Sequence, residues 1–137
     1  MWIMYALLSA FFAALTSILA KIGIQNINSN LATALRTIVV LLMAWTVVFI
    51  GGKHTELAAI SPKNVLFLAL SGLATGLSWL CYYRALQMGE ASKVIPIDKF
   101  SLVIGMVLAF AVLKETITVK TIIGGVFITV GTLVLIF

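Results

Sequence analysis

The sequence predicts an all-α membrane protein of five transmembrane helices, on two features of its composition and one of its pattern. Of its 137 residues, 63% are hydrophobic and 9% charged, and the mean hydropathy is +1.22. A soluble domain is about 45–50% apolar and about 25% charged, so a chain this apolar has too little polar surface to cover itself. The apolar residues also fall in runs of about 20, the length at which a helix crosses a hydrocarbon core of about 30 Å. A transmembrane barrel instead needs alternating segments of about 10. Five such runs joined by short loops use up the length, which rules out a soluble enzyme domain, a disordered tail or a separate extramembrane domain. Cys81 is the only cysteine, so no intrachain disulfide scaffold forms. The net charge of +5 does not read as a nucleic-acid footprint. The nine Lys and Arg are scattered beside apolar runs, as interfacial anchors are. The lipid bilayer is the first partner implied.

Span 1 covers residues 2–24. Its uncharged run from Trp2 to Ala20 ends at Lys21, and without Lys or Arg ahead of it and with this length it reads as a retained helix rather than a signal peptide. The polar stretch Gln25–Asn30 is a turn, with Asn30 as the expected N-cap of span 2, residues 31–50. Gly51-Gly52 ends that span. The one loop of any size follows, holding Lys53, His54, Glu56, Ser61, Pro62 and Lys63. Span 3 runs over residues 64–88 and closes at Gly89, and so short a link to span 4 predicts an antiparallel hairpin. Span 4, residues 92–113, either starts near Ser92 and kinks at Pro96 or starts with Pro96 in its first turn. Lys114-Glu115-Thr116 form a polar link, and span 5 fills residues 121–137 with no polar tail. No internal repeat and no low-complexity segment is visible within the five spans.

No hydrolytic or redox machinery is visible either, so the expected class is not an enzyme. His54 is the only histidine and reads as a solvated loop residue; Cys81 reads as a small apolar helix residue. No metal cluster or cofactor site is expected. Charges within spans carry more information, because each costs roughly 2.5–3.5 kcal/mol at a helix centre. Arg36 lies about 9 Å into span 2. Lys21 and Arg84 stand near helix ends and can snorkel to the headgroups. Asp98 and Lys99 precede an apolar run to Leu113 broken only by Ser101. Two readings of Asp98 stand side by side. It is either a helix-start residue favoured by the positive end of span 4, or the one intramembrane acid, facing a polar cavity and paired with Arg36, Lys99 or Lys21.

Two helix faces are compatible with such a cavity. On span 1, Ser9, Ala13, Thr16, Ser17 and Ala20 share a small and hydroxylated side. On span 3, Gly72, Thr75, Gly76, Trp79 and Tyr83 recur at helical spacing, and Gly72 with Gly76 forms a small-xxx-small pair for close helix packing. Trp79 and Trp45 lie mid-span, away from the aromatic belt, as substrate-facing, core or lipid-facing residues. Gly124 and Gly125 are the corresponding packing candidates on span 5.

An odd number of spans puts the two ends of the chain on opposite sides of the membrane. Lys53, Lys63, Lys114 and Lys120 then face one side; Lys21, Arg84 and Lys93 face the other, joined by Arg36 and Lys99 if they snorkel. Four against three to five gives the positive-inside rule almost nothing to act on. Such a balance suits a chain inserted in both orientations, and two opposed copies recreate the inverted repeat behind alternating access in many transporters.

In order along the chain stand Ala20-Lys21-Ile22-Gly23, Asn30-Leu31-Ala32-Thr33-Ala34-Leu35-Arg36-Thr37, Tyr83-Arg84-Ala85-Leu86 and Gly89-Glu90-Ala91-Ser92. After them come Val94-Ile95-Pro96-Ile97-Asp98-Lys99, Leu113-Lys114-Glu115-Thr116 and Gly124-Gly125. With these motifs the whole chain resembles the EamA-type part of the drug/metabolite transporter superfamily, in its single-repeat, five-helix bacterial and archaeal form. The resemblance implies one half of an inverted-repeat transporter, a homodimer, and a small-metabolite substrate moved across the cytoplasmic membrane. The related four-helix small multidrug resistance exporters use a glutamate in their first helix. Here that stretch reads Phe11-Phe12-Ala13-Ala14-Leu15, so their proton and cation exchange is not expected, and Asp98 is the remaining candidate for coupling. The expected substrate and coupling residues are Asp98, Lys99, Arg36, Lys21, Trp79, Tyr83 and Ser17. A non-transport structural or accessory membrane subunit and a lipid-headgroup flippase are the alternative functions.

Overall fold

The computed structural model describes residues 1–137 and is helical throughout, with no strand. Its helices are α1 (Trp2–Gly23), α2 (Ser29–Ile50), α3 (Pro62–Met88), α4 (Ala91–Asp98), α5 (Ser101–Leu113) and α6 (Val119–Ile136), with a 3-10 helix over Lys53–Ala59. Five segments are long and apolar enough to cross a membrane, α4 and α5 together forming the fourth. The protein is a multi-pass membrane protein. It divides into two compact parts, Leu19–Gln87 on one hand and Met1–Ile18 with Met88–Phe137 on the other.

Helix ends follow local hydrogen-bonding chemistry, and they correct the expected boundaries. The N-cap of α2 is Asn28, not Asn30. Its backbone is extended, and its side-chain oxygen accepts from the N–H of Asn30 (2.8 Å) and of Leu31 (3.4 Å). Asn30 is already one of the residues being capped, because a cap must stand where the chain leaves extended geometry. Asn26, at φ 61, makes the left-handed bend that precedes it, a conformation asparagine tolerates. At the far end Gly52 takes φ 65, so of the two glycines there it is the second that the turn requires.

Span 3 starts earlier than Asn64. Pro62 occupies the first helical position, where its missing N–H costs nothing, and the Ser61 hydroxyl accepts from the Asn64 N–H at 3.2 Å. With 27 residues α3 is about 40 Å long, more than the hydrocarbon core of about 30 Å requires. Span 5 likewise starts at Val119, with Thr118 as its N-cap accepting from the Thr121 N–H at 3.2 Å. The Lys53–Ala59 turn packs on α2, and Lys53 pairs there with Glu56 at 2.6 Å. His54 lies against the Phe49 ring at 5.4 Å between centroids.

Of the two starts weighed for the fourth span, the structure has the one near Ser92 and not the one with Pro96 in the first turn. The span begins at Ala91 and carries Pro96 in its interior, but the break comes later, at Lys99-Phe100. The junction is bridged by three-residue hydrogen bonds: Lys99 N–H to Pro96 O (3.1 Å), Phe100 N–H to Ile97 O (3.0 Å) and Leu102 N–H to Lys99 O (3.0 Å). Asp98 is consequently the last residue of α4, three positions ahead of α5, and does not stand in the first turn of the span.

In the part containing Met88–Phe137, α4 and α5 both pack on α6. Gly125 is buried there, and a Cβ built on it would lie 3.6 Å from Met106 Sδ; at Gly72, Gly76 and Gly124 nothing lies within 4 Å. The α5–α6 contact leaves an apolar cleft of about 320 Å³, lined by Val103, Val107, Ile122 and Val126 among others. A methyl there makes an ordinary contact with Met106, whereas the longer isobutyl group must displace Met106 or take up the cleft. Gly125→Leu should therefore lower thermal stability in detergent by about 1–3 kcal/mol, whereas Gly124→Leu, with the same gain in helix propensity and an open flank, should not. Equal melting temperatures for the two variants would remove this contact from the packing account.

Candidate functional site

In the Leu19–Gln87 part, two helical stripes carry the polar and aromatic residues. On α2, Ser29, Thr33, Arg36 and Val40 recur at four- and three-residue spacing; Ser29 and Thr33 are buried and Arg36 is half-buried. The Thr33 hydroxyl donates to Ser29 O (2.9 Å) and that of Thr37 to Thr33 O (2.7 Å), so these donors are satisfied within the helix. On α3, Trp79, Tyr83 and Leu86 form the second stripe, with Tyr83 and Leu86 buried.

Arg36 joins the two stripes. Its guanidinium carbon stands 4.0 Å from the Trp79 ring centroid and 5.7 Å from that of Tyr83. Both lie within the range in which a cation is attracted by the ring face, worth about 2 kcal/mol or more when desolvated. That is comparable to the roughly 2.5–3.5 kcal/mol cost of an arginine at a span centre, so the rings offset much of it. Three of the residues singled out from the sequence are thus brought together.

Lys21 and the end of α3 form a separate polar group. Lys21 Nζ donates to the carbonyl of Leu86, capping the last turn of α3 where a cation is favoured. Gln87 Nε2 donates to Ile27 O at 2.7 Å, and its Oε1 accepts from Arg84 Nη1 at 3.0 Å. Lys21, Gln25, Asn26 and Gln87 border a polar cleft of about 340 Å³. In the other part, Asp98 pairs with Lys99 at 3.4 Å, both side chains partly exposed. The Ser17 hydroxyl donates to Ala13 O at 2.9 Å.

Residue spacing did not disclose that Arg36 rests on aromatic faces, since charge arithmetic alone looks for an acid. The signal was present in Trp79 and Tyr83, four residues apart on one helix face. Nor did it disclose the Gln87–Ile27 bond, which links residues 60 positions apart. A double-mutant cycle of Arg36→Met and Trp79→Leu, read by thermal unfolding in detergent, should give a coupling of about 0.5–2 kcal/mol. Strict additivity would mean that the stack stabilises nothing.

The comparison with known proteins bears on the whole chain. It matches the EamA-like transporter family over residues 1–137. It is 45% identical over 134 residues to an uncharacterized transporter of Sinorhizobium sp. encoded in a cobO 3' region, covering 98% of this chain and 95% of that protein. It is 30% identical over 103 residues to an uncharacterized protein of Methanocaldococcus jannaschii, covering 69% of this chain and 75% of that one. No solved structure matches. With the family matched from end to end and a relative this similar over nearly its full length, the chain belongs to the EamA-like transporter family.

Proposed function

We propose that the chain is a secondary transporter of a small metabolite in the cytoplasmic membrane, working as a homodimer of oppositely inserted copies with alternating access. The observation that carries this reading is the Arg36–Trp79–Tyr83 cluster, a cation kept within a span of a chain that belongs to a transporter family. Ionisable groups inside a membrane are costly, and those retained there mark substrate and ion pathways. In this reading Arg36, Trp79 and Tyr83 contact the substrate. Lys21 holds the end of α3, and Ser17 adds a hydroxyl along α1. Asp98, paired with Lys99 beside the break between α4 and α5, is the coupling group, since discontinuous helices place ion sites in other transporters.

Five spans and balanced flanking charge support the homodimer reading. One copy offers a single arrangement of the site, whereas two opposed copies supply the symmetry that alternating access uses. The open flanks of Gly72 and Gly76 on α3 allow close approach of a second copy's helices.

Two experiments test these points. Single cysteines placed between Lys53 and Lys63, on a Cys81→Ala background, should be labelled from both sides of the membrane by an impermeant reagent. Labelling from one side only would overturn the dual orientation. Asp98→Asn should fold and dimerise like the parent yet lose uptake into proteoliposomes driven by an imposed proton gradient. A folded Asn variant with full gradient-driven uptake would rule out Asp98 as the coupling group.

A further inference from the structure

We infer that the Arg36 site takes an organic anion, a small molecule whose carboxylate meets the guanidinium beside the partly exposed Trp79. This rests on the transporter reading and adds the chemical class of the substrate. The charge inventory of the Leu19–Gln87 part comes first. It holds Lys21, Arg36, Lys53, Lys63 and Arg84 against one acid, Glu56, and Glu56 is taken by Lys53 at 2.6 Å. Arg36 is therefore held by ring faces, with no carboxylate of its own part available to it.

The ring contact also bears on what remains to be recognised. The guanidinium carbon lies 4.0 Å from the indole centroid, and a guanidinium carries five N–H donors in a fork that matches a carboxylate. The neighbouring Trp79 indole carries an N–H that can only donate. The Thr33 and Thr37 hydroxyls already donate to their own helix. Such a donor-rich site fits a ligand that brings acceptor oxygens and negative charge. A cationic substrate would meet like charge, and a neutral polyol would leave the guanidinium uncompensated. One guanidinium matches one negative charge, which favours a carboxylate over a phosphate dianion.

The test uses the full chain in detergent with Trp2→Phe and Trp45→Phe, leaving Trp79 as the only tryptophan. Acetate, phenylacetate and benzoate are titrated against benzamide, benzylamine and phenyl phosphate while Trp79 fluorescence is followed. At least one carboxylate should give a saturable change with an apparent Kd at least tenfold below those of the amide, the amine and the phosphate ester. Arg36→Gln should weaken that binding at least tenfold, and Arg36→Lys should do so less, since it keeps the charge but loses the fork. If Arg36→Gln does not fold, the ligand discrimination in the parent and the Arg36→Lys comparison carry the test. No saturable carboxylate response, equal binding of the amine, or tighter binding of the phosphate ester would overturn the inference. Proteoliposome flux separates it from the reading beneath it. Carboxylate binding without flux overturns transport and supports the anion site; flux of a cation or neutral solute without carboxylate binding does the reverse.

Discussion

Inside a bilayer there is no water to accept or donate a hydrogen bond, and this constraint governs almost every local feature of the chain. Unsatisfied backbone groups cost several kcal/mol each in hydrocarbon, so the spans are helices and the links between them are short. The same constraint explains the behaviour of the hydroxyl side chains. Ser17, Thr33, Thr37, Thr46, Thr75 and Thr129 each donate to the carbonyl four residues back, which lets a polar residue sit within a span at little cost. Three helix ends are completed by a side chain: Asn28 before α2, Thr118 before α6, and Lys21 on the Leu86 carbonyl of α3.

Charged groups face the same constraint with fewer solutions, and the chain uses three. Lys21 is spent on a helix end. Asp98 and Lys99 neutralise one another at 3.4 Å beside the break in the fourth span. Arg36 is carried on two aromatic faces. The choice follows from sequence neighbourhood: the part of the chain that contains Arg36 has a single acid, and that acid lies in a loop.

The number, order and approximate limits of the spans were legible because a run of about 20 apolar residues has one physical solution in lipid. The ends were less legible. Four polar residues between Asn26 and Asn30 can each cap a helix, and only backbone geometry selects Asn28. Pro96 announced an irregular fourth span, but the position of the break, after Asp98 rather than at the proline, is set by the hydrogen bonds of the following turn. Likewise Arg36, Trp79 and Tyr83 were each conspicuous, while their meeting depends on how α2 is rotated against α3, which no spacing rule contains. Asp98 was conspicuous for its charge. Its position at the end of one helix and ahead of the next has no counterpart in a continuous span 4.

The two ways of holding charge differ in what they leave available, and this assigns them different roles in the proposed cycle. The ion pair already engages both partners at 3.4 Å, so a new partner for Asp98 competes with Lys99, and a proton delivered to Asp98 weakens the pair. Exchange of that kind couples one equilibrium to another, as a transport cycle requires. A guanidinium held by aromatic rings has no ion pair to break, so an anion binding there adds an interaction without first displacing a charged partner. In the proposed cycle, binding at Arg36 would be favourable in both orientations of the site, whereas rearrangement at Asp98–Lys99 would differ between them. A ligand that binds both states equally shifts nothing. The broken fourth span, rather than the aromatic cluster, is then the element whose two arrangements would have to be distinguished by substrate or proton for transport to proceed in one direction.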